Sequence, residues 1–144
     1  MSIVNRQLNS GFSLIEVLIA IVLVGLAIVS LIAANNSFTQ ANAAGRDLST
    51  AEFLIEQIRE LTTLTDYGDL YGFDGASFSP PKGTDGEDLN DFAAFSQEIT
   101  VENVSAANFE EVVSDHSSFF VRITVKVLLN SKEISSASWI RARY

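Results

Sequence analysis

From Phe12 to Ala34 the chain reads FSLIEVLIAIVLVGLAIVSLIAA, with Glu16 as the only ionisable side chain. A helix of about 20 apolar residues crosses the hydrocarbon of a bilayer, so the run is expected to be a transmembrane helix. Arg6 lies before it and the flank from Asn35 to Ala44 is uncharged. The bias of basic residues to the cytoplasmic side then puts the amino end inside and the rest of the chain outside. A carboxyl group at mid-bilayer costs about 3 kcal/mol on insertion scales, and less near the edge where Glu16 lies, but it still asks for a partner. A secretory signal would have a shorter apolar core and a small-residue cleavage site at its far end, which Ala33 and Ala34 only mimic.

A short polar leader, then Gly11, then Phe12-Ser13-Leu14-Ile15-Glu16 opening an unbroken apolar helix, closely resembles the prepilin signal of type IV pilins and type II secretion pseudopilins. The resemblance implies that a prepilin peptidase cuts between Gly11 and Phe12 and methylates the new amino group of Phe12. It implies that Glu16 pairs with the amino group of a neighbouring subunit during assembly. Gly11 leaves bare backbone that a protease cleft can approach. Asn9 and Ser10 stand where relatives have Lys or Arg, and Ala33 stands where many carry a proline. The implied partners are the peptidase, other pilin or pseudopilin subunits and an inner-membrane assembly platform. The implied route runs from a single-pass inner-membrane protein to a minor pilin or pseudopilin in a pilus or pseudopilus. Two other readings stand beside it: an uncleaved single-span anchor for an outer domain, and a filament-displayed adhesive or substrate-binding head.

After Ala34 the apolar residues thin to helical spacing, with Ala41, Ala44, Leu48, Ala51, Ile55, Ile58 and then Leu61 or Thr62 on one side. One helix from Ser13 to Leu64 is expected, roughly 75 Å long, more than a membrane needs. Its outer half needs a cover, and Ser118 to Leu129 supplies one. There Phe119, Val121, Ile123, Val125, Val127 and Leu129 alternate with residues of the opposite face. Asn130-Ser131-Lys132 reads as a turn, Glu133 to Arg143 as the return strand with Ala137 and Trp139 on one side, and Gln97 to Val104 as a third strand through Ile99 and Val101. The fold class is therefore α+β, a long amino-terminal helix against a small antiparallel sheet, resembling pilins. The expected divisions are a leader 1–11, a transmembrane part 12–34, a helical continuation 35–64 and a head 65–144. Thr65 to Asp91, with both prolines, five glycines and seven acidic residues, is too irregular for an expected element and long for a structureless connection, and the resemblance to pilins implies that it is the variable surface where partners are recognised.

Acidic residues outnumber Lys and Arg by 18 to 9, so a phosphate backbone is repelled and nucleic-acid binding is not expected. With no cysteine and a single histidine, His116, neither zinc binding nor Ser-His-Asp catalysis has the residues it needs, and no enzyme is expected. The one ion with a candidate set is Ca²⁺, through Asp85, Glu87, Asp88 and Asp91, or Asp66, Asp69 and Asp74, although neither spacing matches an EF-hand. No other cofactor is expected.

Overall fold

The computed structural model describes residues 12–114 and 116–143, and the chain falls into two compact units, Met1–Asn42 and Ala43–Tyr144. Helix α1 spans Leu14–Leu64, within a residue of the expected bounds. From Phe12 to Ile32 every large apolar side chain on it is exposed.

In the second unit a four-stranded antiparallel sheet in the order β1-β2-β3-β4 is built from β1 (Ser77–Phe78), β2 (Phe95–Asn103), β3 (Phe120–Leu129) and β4 (Lys132–Ala142). Period-two burial follows the pairing, with Ile99 opposite Val125 and Val101 opposite Ile123. Those side chains, with Val121 and Val127, meet Ala51, Leu54, Ile55 and Ile58 of α1 in one core. Ala137 and Trp139 of β4 pack on its edge.

Burial on α1 begins at Ala51, so Ala41, Ala44 and Leu48, expected inward, are exposed, and Leu54 takes a core place that the spacing missed. Phe119 precedes the first paired residue of β3 and is 66% exposed, against the inward position its parity suggested.

The connection from Thr65 to Asp91 is not free of elements. It contains a 3-10 helix at Tyr67–Phe73, strand β1 and the start of a second 3-10 turn, Asn90–Phe92. These are held from outside the segment. The Ala76 carbonyl accepts the Ile99 N–H at 2.9 Å, and Asp74 Oδ1 accepts the Val101 N–H at 2.8 Å, so a side chain continues the ladder where β1 has ended. Gln57 Oε1 of α1 accepts the Thr84 N–H at 3.2 Å.

Two fully buried amides of β2 fasten the connections to the core. Gln97 Nε2 donates to the Leu54 carbonyl of α1 at 2.9 Å and to the Lys82 carbonyl at 3.2 Å, while its Oε1 accepts the Lys82 N–H at 2.7 Å. At the other end of the strand, Asn103 Oδ1 accepts the Tyr71 hydroxyl at 2.8 Å and the His116 N–H at 2.9 Å, and Nδ2 donates to the Ser118 carbonyl at 3.2 Å. The Tyr67 hydroxyl nearby is shut off from solvent and has no hydrogen-bond partner within normal distance among the described residues. Burial first, and the neighbouring Tyr71 second, push its pKa up to about 12.

The β3–β4 turn is two residues, Asn130 and Ser131, both left-handed at φ 50° and 65°. This is the mirror-image turn whose twist suits a hairpin, and it favours Asn followed by Gly. Ser131 carries a left-handed cost of about 1–2 kcal/mol, partly offset because Gly would loosen the unfolded chain by about 0.4–1 kcal/mol. Ser131→Gly is therefore expected to stabilise the protein by about 0.5–1 kcal/mol. The urea midpoint checks this, and a lowered midpoint would mean that the serine makes a compensating contact.

Candidate functional site

Ser13 stands one residue ahead of the first helical position, and its carbonyl accepts the N–H groups of Glu16 and Val17 at 3.0 and 3.2 Å, closing the first turn of α1. Glu16 thus lies in that first turn, where the free N–H groups of a helix favour negative charge. The helical step returns Glu16, Ala20 and Val24 to one side, and Phe12, Glu16, Val17, Ala20, Ile21 and Val24 line one groove. One carboxylate and the residue expected to become the amino terminus therefore share an otherwise apolar groove. Gly11, the expected cleavage position, and Arg6 lie outside the described residues.

The groove holds one carboxylate, that of Glu16, and no other polar side chain among the residues that line it. Glu16 is a single charge among side chains that are all exposed, Phe12 at 83% and Ile21 at 66%. A continuous apolar surface of this size calls for lipid or protein around it. Among the described residues α1 is the one helix long and apolar enough to cross a membrane, by length and composition.

The family described as the prokaryotic N-terminal methylation motif matches residues 6–34. Over these residues the chain is prepilin-like. The matched stretch contains Gly11, Phe12 and Glu16 and ends with the apolar run. A prepilin-type motif implies processing by a prepilin peptidase and assembly with other pilin subunits, and it suggests a structural subunit in place of an enzyme. The single apolar helix of this prepilin-like chain is consistent with the single-pass anchor of a pilin. Neither the curated proteins nor the solved structures compared with it give a match.

The acidic candidates are placed separately. Asp85 Oδ1 accepts the Glu87 N–H at 3.0 Å, Asp88 pairs with Lys82 at 2.9 Å, and Asp91 sits in the 3-10 turn Asn90–Phe92. Asp74 is engaged with β2. Among the described residues no three His, Asp or Glu side chains gather where they could hold an ion. His116 is exposed, with its ring 4.5 Å from that of Tyr71. The buried amides Gln97 and Asn103 were missed in the sequence, where their one mark is that they fall on the inward parity of β2.

Proposed function

We propose that this chain is a minor pilin or pseudopilin, cleaved after Gly11, methylated at Phe12 and assembled into, or priming, a type IV pilus or type II secretion pseudopilus. In the membrane-bound stage its amino end is cytoplasmic and its sheet-bearing unit extracytoplasmic. The observation that carries the proposal is the methylation motif at residues 6–34, whose part from Leu14 onward lies on a helix that goes on to pack against a pilin-like antiparallel sheet. The small head favours an accessory subunit over the main building block.

The test is the intact mass and amino-terminal sequence of the membrane-extracted protein. The expected product begins at Phe12, carries one added methyl group and partitions with membranes. A soluble product beginning after Ala33 or Ala34 would mean secretion, and an intact Met1 terminus would mean a plain anchor.

Calcium binding through Asp85, Glu87, Asp88 and Asp91 is a separate proposal supported by their closeness in sequence, and it requires the loop to rearrange and Asp88 to leave Lys82, since no three of these carboxylates gather in the structure. A ligand that binds the native state raises the melting temperature, so equal melting in excess Ca²⁺ and in chelator removes it.

A further inference from the structure

A helix leaves the carbonyls of its last turn without partners of its own, and α1 ends at Leu64 with no basic residue in that turn. Strand β4 supplies what is missing. On its inner face Ala137 and Trp139 pack against the core, and the next residue of that parity is Arg141, opposite the buried Val121. Its guanidinium donates to the carbonyls of Thr62 and Thr65, the latter at 2.8 Å. A cation thus sits at the negative end of the helix, and among the described residues it joins none of the ion pairs. Two residues earlier on β4 the roles are exchanged, with Arg59 of α1 lying 5.2 Å over the Trp139 ring and held by Glu56 at 3.2 Å.

We propose that Arg141 latches the end of β4 to the end of α1, so that these two ends open and close together while the centre of the sheet stays shut. Thr62 lies within the helix and Thr65 is the first residue beyond it, so one guanidinium holds both sides of the point where the helix stops. Freed from β4, the last turn has no cation of its own at its negative end. Freed from α1, the guanidinium lies on the inner face of the sheet beside Val121, where a polar group without an acceptor is costly. Each end therefore stabilises the closed form of the other, and such coupling is reciprocal. The connection that begins at Thr65 starts at this latch, so its first residues are ordered only while the end of β4 is seated. The latch depends neither on cleavage nor on assembly.

Apolar packing does not couple these ends by itself. The large core side chains of α1, Leu54, Ile55 and Ile58, all precede its last turn. Beyond them the helix offers the core the half-buried Leu61, while Leu64 is 73% exposed. Thr62 is fully buried, but its hydroxyl turns back to the Ile58 and Arg59 carbonyls of the same helix. What ties the last turn to the sheet is polar, and it runs through Arg141.

The experiment follows amide exchange in the membrane-extracted full chain in detergent, for the parent, Arg141→Met and Ile140→Gly. Methionine keeps the length of the side chain and removes its donors. Ile140 lies on the outer face of β4, opposite Arg122 and away from α1, so glycine there loosens the strand without touching the helix. With Arg141→Met, residues 61–65 and 139–143 should both exchange about tenfold faster, and residues 123–125 at the parent rate. With Ile140→Gly, residues 139–143 should exchange about threefold faster, and residues 61–65 by the same factor. Parent rates at residues 61–65 in Arg141→Met would show that the guanidinium does not hold the helix end, and overturn the latch. So would an Ile140→Gly chain in which β4 loosens and residues 61–65 do not, which decides the matter even if Arg141→Met fails to fold. An equal rise at residues 123–125 would mean general unfolding, and would overturn it as a local device.

Discussion

Glu16→Ala should be cleaved and inserted like the parent chain and then be missing from filaments. Cleavage needs the bond after Gly11 to be reachable, and insertion needs an apolar run, which the substitution lengthens. Docking into a filament is different, because apolar side chains slide past one another with little preference for register, whereas two opposite charges in a medium without water have one favoured position. On the proposed function the partner charge is the amino group of Phe12 on a neighbouring subunit. Phe12 and Glu16 line one groove, so a helix end seated there meets both. Removing one member of a buried pair typically costs about 3–5 kcal/mol because the other is left unpaired. At the shallow depth of Glu16 a cost of about 2 kcal/mol is expected, roughly thirtyfold in a docking equilibrium. The comparison is between the membrane and sheared-filament fractions at native expression. Normal incorporation of the variant would make the carboxylate dispensable and favour a plain anchor, or a tip position with no subunit ahead of it.

What could be read in the sequence was whatever repeats locally. Helix α1 was legible to within a residue because the apolar run and the three-four spacing after it persist over many turns, and β3 because four inward valines and isoleucines alternate without a break. The methylation motif at residues 6–34 was legible because it is made of adjacent residues. The segment from Thr65 to Asp91 was illegible for the opposite reason. Its strand is two residues long and exists only through pairing with residues some twenty positions away, and the ladder beyond it is completed by a carboxylate, Asp74. The exposure of Leu48 has the same origin, since periodicity marks which side of a helix is apolar and says nothing about where its cover begins. Gln97 and Asn103 were passed over because amides are read as surface residues unless a partner is known.

Asn103→Leu tests whether such an amide holds the second unit together. Asn103 is fully buried at the end of β2, and each polar atom of its side chain is used. One carboxamide joins the 3-10 helix at Tyr67–Phe73 to the loop that returns through His116 and Ser118 to β3. Leucine is of similar volume, so the substitution opens little cavity and leaves the loss of hydrogen bonds as the main effect. The Tyr71 hydroxyl, the His116 N–H and the Ser118 carbonyl lose their partner, while the Phe120 carbonyl keeps the Val104 N–H at 3.0 Å. A buried group left without a partner costs about 1–3 kcal/mol, and Tyr71 and His116 are open enough to recover part of this from water. The sum expected is about 3 kcal/mol, or a fall in melting temperature on the order of 15 °C for a unit of this size. Ile99→Leu, a swap of equal volume four residues earlier on the same inward face, should cost less than about 1.5 kcal/mol and serves as the control. Were Asn103→Leu to melt within a few degrees of that control, the two connections would be held by packing, and the carboxamide would be incidental to the fold.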